Sequence, residues 1–275
     1  MSGGTVLLTG AAGGVGTFLR RGLPALGWKL RCYDRRPILD DPDAVTADIR
    51  DPVALAAAMD GVDAVVHLAG IPTEDTFDRI RDANIDGSYR VFEAARAAGV
   101  GRVVYASSNH AVGFLPRQEL APVAVPPRPD TFYGLSKAFG EALGQLYADR
   151  HGMAVACLRI GSCFQRPTST RQLSTWLSPA DTVSLVDAAL RAPSPGFTVV
   201  WGVSANTRNW WDLTAARALG YESVDDAEVY AEALVEVHGE PDLTDPVHAR
   251  VGGDYTLPGF DADAVAAQAA AREEP

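Results

Sequence analysis

The sequence predicts an α/β protein built on a doubly wound parallel sheet. Three observations predict it. Short apolar runs alternate with helix-patterned stretches from Thr5 to Ala106, a glycine-rich turn joins the first run to the first helix, and polar residues cluster just after several runs. Alternation of this kind indicates βαβ units, and in such sheets ligands lie beyond the carboxyl ends of the strands.

Residues 5–9 form an apolar run that reads as a buried strand. The run feeds into Gly10-Ala11-Ala12-Gly13-Gly14-Val15-Gly16 and then a helix with apolar positions at Phe18, Leu19 and Leu23. In that setting Gly10 allows a tight turn, Gly13 lets backbone N–H groups approach a pyrophosphate, and Gly16 permits close packing of helix on strand. Residues 29–33 are the second strand, which ends at Asp34. An acid there, about 20 residues beyond the glycines, binds both hydroxyls of an adenosine ribose and repels a 2′-phosphate. Asp34 therefore favours NAD, while Arg35 and Arg36 keep some use of NADP open. Residues 44–47 are a third short strand, followed by Asp48 and Ile49. Asp51-Pro52 opens a helix that stops at Gly61, with Asp as cap and Pro in the first turn. Residues 64–68 are the fourth strand, closing on Ala69-Gly70, and His67 within it reads as a packed core histidine rather than a ligand.

A long helix over residues 77–99 contains Asn84, and residues 102–106 are the fifth strand. Ser107-Ser108-Asn109-His110 follow at a carboxyl end of the sheet. A proline-rich span, residues 116–129, crosses to a helix that carries Tyr133 and Lys137 and runs to about His151-Gly152. Tyr133 and Lys137 are four residues apart and share a helix face. A phenol titrates near pH ~10. An ammonium group beside it pulls that titration toward neutrality and makes a proton acceptor. By spacing alone the pair fits an ordinary solvated face equally well. Residues 154–160 are the sixth strand. Beyond it lie a helix near residues 171–177, another opened by Ser178-Pro179 with capping-box spacing to Asp181, a strand at 198–201 and short C-terminal helices. Trp176, Trp201, Trp210 and Trp211 read as packing residues, and the alanine-rich tail beyond Ala262 carries no signal.

With 275 residues, 47% hydrophobic and 21% charged, the chain suits one folded domain over residues 1–275. Residues 1–160 are mainly the cofactor-binding part and 161–275 mainly a substrate-binding annex. The net charge of −11 argues against a nucleic-acid surface, and there is no basic cluster for a membrane. No signal-peptide pattern or spanning-length stretch is present. Cys32, Cys157 and Cys163 lack metal-ligand spacing and read as free thiols, so a cytoplasmic location and no metal are expected.

Together these pieces resemble the extended short-chain dehydrogenase/reductase family, the NAD-dependent epimerases and dehydratases. The Thr-Gly-x-x-Gly-x-x-Gly loop from Thr9 to Gly16, Asp34, Asp48-Ile49, His67-Leu68-Ala69-Gly70, Asn84, Ser108 and the Tyr133/Lys137 pair fall in family order over most of the chain. The resemblance implies a Rossmann-type fold with a small C-terminal substrate-binding annex. It also implies NAD held around Gly10, Gly13, Gly14, Val15, Gly16, Asp34, Asp48, Ile49, Leu68, Ala69, Gly70, Asn84, Tyr133, Lys137 and Ile160. Tyr133 would accept the proton, Ser108 would bond the reacting oxygen, and Lys137 would lower the Tyr133 pKa and hold the nicotinamide ribose. Members usually self-associate, so a homo-oligomer is expected.

A narrower resemblance within the family rests on residues 106–113 (ASSNHAVG), 159–163 (RIGSC), 171–176 (RQLSTW), 200–206 (VWGVSAN) and 210–212 (WWD). It is to members that oxidise C1 of a hexuronic acid, D-glucuronate or D-galacturonate, to the aldarolactone with NAD. It implies that Ser108, Asn109, His110, Tyr133 and Ser162 contact the sugar and that Arg171 takes its carboxylate. Where a serine contact is expected after the fourth strand the chain has Gly70-Ile71-Pro72-Thr73. Proline has no N–H to offer, so Thr73 is the candidate there. The planar fork of an arginine suits a carboxylate, but Arg159 and Arg166 lie in the same region and the sequence does not choose among them. A small annex favours a small free sugar acid. The alternatives are a nucleotide-sugar epimerase or reductase of the same fold, and a non-catalytic NAD-sensing protein.

Overall fold

The computed structural model describes residues 3–193 and 196–260; the alanine-rich tail lies outside the described residues. The strands are β1 (Thr5–Thr9), β2 (Lys29–Asp34), β3 (Val45–Thr46), β4 (Ala64–His67), β5 (Arg102–Ser108), β6 (Ala154–Ile160), β7 (Ser162–Cys163), β8 (Trp176–Leu177) and β9 (Phe197–Gly202). Seven of them form one sheet in the order β3-β2-β1-β4-β5-β6-β9, while β7 and β8 pair separately. Every pairing in the large sheet is parallel. The order reverses between β1 and β4, which puts the ligand crevice beyond their carboxyl ends.

Alternation along each strand fixes which face each side chain meets. Val6, Leu8, Val66, Val104, Ala156 and Leu158 point to one face, packed by Leu19 of α1 (Gly14–Gly22) and Leu185 and Val186 of the helix after β8. Leu7, Val65, Val103, Tyr105, Val155 and Cys157 point to the other. There they meet α2 (Pro52–Met59), α4 (Gly87–Ala97), which follows the short α3 (Phe77–Ile80), and α5 (Phe132–His151). After the short α6 (Gln172–Thr175) comes α7 (Pro179–Arg191), whose cap Ser178 accepts from Asp181 N at 2.9 Å. The tryptophans pack the annex: Trp201, Trp210 and Trp211 share a core with Val112, Val203 and Val251, and Trp176 packs with Leu173 and Ala227. Among the described residues no helix is long and apolar enough to cross a membrane.

The structure departs from the sequence reading in four elements. The third strand shrinks to Val45–Thr46. The fifth extends to Ser108, because Ser107 and Ser108 pair with Arg159 and Ile160. The expected helix over 77–99 is interrupted by a π-helical segment, Arg81–Asp86, which turns Asn84 inward. The expected helix at 171–177 is a single turn, because Trp176 and Leu177 pair with Ser162 and Cys163 instead.

Candidate active site

The glycine turn after β1 is shaped by backbone approach. Gly10 has φ +73°, and a side-chain Cβ there would lie 2.7 Å from Ala69 N in the turn after β4. A Cβ at Gly16 would run into the Gly10 carbonyl. Helix α1 starts at Gly14 with Gly13 as an uncapped N-terminus, so its first N–H groups have no intrahelical acceptor and face outward for an anion. Nothing lies within 4 Å of where a Gly14 side chain would begin. The buried Asp34 closes β2, its carboxylate accepting from Ala12 N at 3.0 Å and Arg36 N at 2.9 Å. Arg36 in turn donates to Ala12 O at 2.8 Å. These residues fit a dinucleotide: bare helix N–H groups for the pyrophosphate and an acid at the ribose position. After β3, Asp48 pairs with Arg50 at 2.8 Å while Ile49 is buried against α4 at Gly87. Ile160 ends β6 beside Ser108 of β5.

Thr131 caps α5 by accepting from Gly134 N at 3.0 Å, and this sets Tyr133 and Lys137 in the first turns. The loop after β4 adds a second cap, for Glu74 accepts from Phe132 N at 3.1 Å and Tyr133 N at 2.7 Å. Asn84 ties the same loop to the helix: it bonds Ile71 N at 2.7 Å, Ile71 O at 3.0 Å and Ser136 Oγ at 3.1 Å. Both N–H groups and one lone pair of its amide are thus engaged in ordering this wall of the site.

Tyr133 is buried. Burial raises the phenol well above its ordinary value, and the neighbouring Ser108 hydroxyl lowers it only in part. Lys137 sits with Nζ 5.4 Å from the Tyr133 ring centroid and donates to Ala106 O at 2.8 Å. Burial lowers the Lys137 ammonium itself to about 8. His67, below them, is a core residue held between Thr9 Oγ1 at 2.8 Å and Ser88 Oγ at 3.1 Å, and burial takes it down to about 3.

On the opposite side, residues 247–256 cross the site as a strap. Its backbone pairs with the span after β5, Val251 N donating to Leu115 O at 3.0 Å and Gly252 N to Gly113 O at 2.8 Å. Arg171 holds the strap from below, donating from Nη1 to Val247 O at 2.8 Å and Arg250 O at 3.2 Å and from Nη2 to Val251 O at 2.5 Å. Asn109 donates to the same Val251 O at 2.8 Å, so Arg171 is brought beside the Ser108–His110 turn. Nε–H and one N–H on Nη2 remain without a protein acceptor among the described residues. Burial lowers the guanidinium to about 10, which leaves it charged at neutral pH.

The other arginines are now distinguished. Arg159 is buried and spent on Glu141, with two bonds of 2.8 Å, and Arg166 is exposed. Ser162 bonds Thr175 Oγ1 at 2.8 Å at the edge of the annex. Thr73 meets Tyr255 OH at 2.7 Å, so the residue expected to replace the missing serine touches the strap. Sequence reasoning missed Glu74, Asp130, Tyr255 and Arg117. Asp130 bonds His110, Tyr255 stacks on His110 with ring centroids 4.0 Å apart, and Arg117 lies over Trp210 at 5.2 Å with no ion pair among the described residues. These contacts join residues far apart in the chain and leave no local pattern in the sequence.

A dinucleotide cradle at the β1 turn, facing a Ser–Tyr–Lys set at β5 and α5, defines a nucleotide-dependent oxidoreductase fold and site. The model of the NAD dependent epimerase/dehydratase family matches residues 6–214, and the chain belongs to that family. Within it the chain is similar to the uronate dehydrogenase of Agrobacterium fabrum, 43% identical with 91% of this chain and 96% of that protein covered. It is 41% identical to the uronate dehydrogenase of Pseudomonas putida, covering 92% and 96% of the two. Its structure superposes with a TM-score of 0.87 on a point mutant of the Agrobacterium tumefaciens uronate dehydrogenase complexed with NAD, at 41% identity over 94% of this chain and 100% of the other.

Proposed function

We propose that this chain is an NAD-dependent dehydrogenase that oxidises C1 of a hexuronic acid, D-glucuronate or D-galacturonate, to the aldarolactone. One observation carries the substrate class. In a chain of net charge −11, a half-buried, charged arginine is brought beside the Ser108–Tyr133 pair through the Val251 carbonyl it shares with Asn109. A partly desolvated cation with two unspent donors is what a small carboxylate requires. Relatives over nearly the whole chain carry the same activity in their names, which supports the reading.

In this reading residues 1–160 chiefly hold NAD, through the Gly10–Gly16 turn, Asp34 and Lys137, and residues 161–275 chiefly shape the sugar pocket. NAD, when bound, supplies the acceptor for the hydride that leaves C1. The chain does the rest. Arg171 orients the carboxylate, Asn109, His110 and Ser162 orient the ring hydroxyls, and Thr73 contributes from the loop after β4. Ser108 bonds the C1 oxygen, and Tyr133 takes its proton as the C1–O bond becomes a carbonyl, so one C–H and one O–H bond are broken for each C=O formed. The burial that raises Tyr133 also keeps water from the reacting atoms. The three unpaired thiols suit a reducing cytoplasm. Phe132, Leu135 and Leu146, exposed along α5, suit self-association.

The test is an activity panel. Purified protein with NAD and galacturonate or glucuronate should generate NADH absorbance. Turnover with a nucleotide sugar and none with either uronate would overturn the proposal.

A further inference from the structure

We propose that Asp130 is a positioning residue for this reaction: it fixes His110 in the tautomer protonated on Nδ1, so that Nε2 meets the sugar as a hydrogen-bond acceptor for a hydroxyl. The inference deepens the function proposed above and rests on it for the identity of the sugar, but not for the state of the histidine.

Asp130 Oδ2 lies 2.7 Å from His110 Nδ1, and Oδ1 accepts from Thr131 Oγ1 at 2.9 Å. The Asp130 side chain is 0% exposed. An ionised carboxylate only accepts, so the ring nitrogen facing it must carry the hydrogen, and the other nitrogen keeps a lone pair. Nε2 has no partner among the described residues. The ring that bears it is 14% exposed and stands between Tyr255, at a centroid distance of 4.0 Å, and Tyr133, at 5.8 Å. The imidazole thus lies against the proton acceptor itself. Its backbone is fixed as well, because His110 N donates to Ser108 Oγ at 3.2 Å.

The space around Asp130 is made by glycines from three separate segments. A Cβ at Gly113, after β5, or at Gly252, in the strap, would collide with Oδ2, and one at Gly134, in α5, would lie 2.9 Å from Oδ1. No larger side chain fits at any of the three without displacing the carboxylate. Burying a carboxylate is costly, and among the described residues no Lys or Arg is bonded to this one; Arg171 is the cation whose field it shares, and the Tyr133 and Tyr255 phenols feel its charge. Holding an imidazole in one tautomer at the reacting centre is a use that accounts for the arrangement. It also divides the labour between the two polar groups. Arg171 can only donate and suits the carboxylate, whereas a neutral His110 offering a lone pair would repel it and suits a hydroxyl.

Asp130→Asn keeps the shape but places an amide NH₂ where either Thr131 or His110 must receive it. Facing His110, the NH₂ donates to Nδ1, moves the ring proton to Nε2 and turns the acceptor into a donor. The experiment reads the His110 ring nitrogens by ¹⁵N NMR in the free wild-type protein at a pH where the imidazole is neutral, and then in the variant. Wild type should show the proton on Nδ1, and the variant should show it on Nε2. The variant's kcat/KM for uronate should fall about 10- to 100-fold, the effect of reversing one hydrogen bond to a positioned group, with the Kd for NAD within about twofold. A wild-type spectrum with the proton on Nε2 overturns the proposal even if the variant does not fold. An unchanged tautomer with unchanged kcat/KM in a folded variant overturns it too. If wild type lacks uronate activity the function proposed above fails, while the spectrum still decides the tautomer.

Discussion

Arg171 holds the strap and, on the function proposed above, also holds the substrate carboxylate; replacing it by alanine separates the two tasks. The side chain donates three hydrogen bonds to the carbonyls of Val247, Arg250 and Val251. At about 1 kcal/mol net for each bond, their loss destabilises the fold by about 3 kcal/mol. For a chain of this size that lowers Tm by about 6 to 12 °C. The remaining donors face the sugar acid. A charge-assisted pair to a carboxylate is worth up to about 3 kcal/mol, which corresponds to a little over 100-fold in kcat/KM. The assay compares galacturonate with galactose, the same ring carrying a neutral CH₂OH. Loosening of the strap harms both substrates alike, whereas loss of the cation harms only the acid. The preference for galacturonate over galactose should therefore collapse toward unity in Arg171→Ala, with NAD affinity nearly intact. Arg171→Lys keeps the charge without the fork and should fall between. A variant that keeps the full preference for the acid, or that loses NAD and uronate affinity in equal measure, would refute the assignment.

Tyr133→Phe removes the proposed proton acceptor and leaves the buried ring, so kcat should drop by about 10²- to 10⁴-fold with Tm little changed; retained turnover would take Tyr133 out of the mechanism. Glu74→Ala strips the second cap from α5, at a cost of about 1 to 2 kcal/mol and a Tm loss of about 2 to 8 °C, and should also reduce kcat by freeing the Tyr133 turn. Glu74→Gln should recover part of both. His67 titrates near 3 in the fold and near 6.5 unfolded. Between those values the unfolded chain binds the extra proton, so stability is lost as pH falls from about 6.5 toward 3. A His67→Gln variant, measured by urea unfolding across that range, should show a flatter acid limb; an equally steep one would assign the loss elsewhere.

Local rules made most of the fold legible. Short apolar runs located five of the seven strands of the large sheet closely, and Asp51 and Ser178 act as the caps their spacing suggested. The glycine turn was legible for the same reason: one short segment contains both the strand end and the helix start. What escaped depends on contacts distant in sequence. Glu74 reaches Tyr133 across 59 positions and Thr73 meets Tyr255 across 182, and neither leaves a periodic trace. The π-helical segment at Asn84 is a tertiary effect, since the inward turn is stabilised by Ile71 and Ser136 rather than by its own residues. Spacing placed Tyr133 and Lys137 on one face but not their burial, which raises the phenol and lowers the ammonium.

Why Arg171 and not Arg159 is proposed as the carboxylate cation follows from what holds each one in place. Arg159 is bonded to the carboxylate of Glu141, which also accepts from Ser107 at 2.6 Å. Its charge is neutralised where it stands, and a substrate carboxylate approaching it would meet Glu141 as well. Arg171 and Lys137 are instead bonded to backbone carbonyls, those of the strap and that of Ala106. Carbonyl dipoles fix a cation's position without cancelling its charge, so its field remains available to a ligand. An acidic chain can therefore bind an acidic substrate by burying a few cations against dipoles. Composition reports the sum of the charges, and sequence reports which residues carry them. Only the fold decides which cation is paired with an acid and which is held by carbonyls, and that difference separates a structural arginine from a binding one.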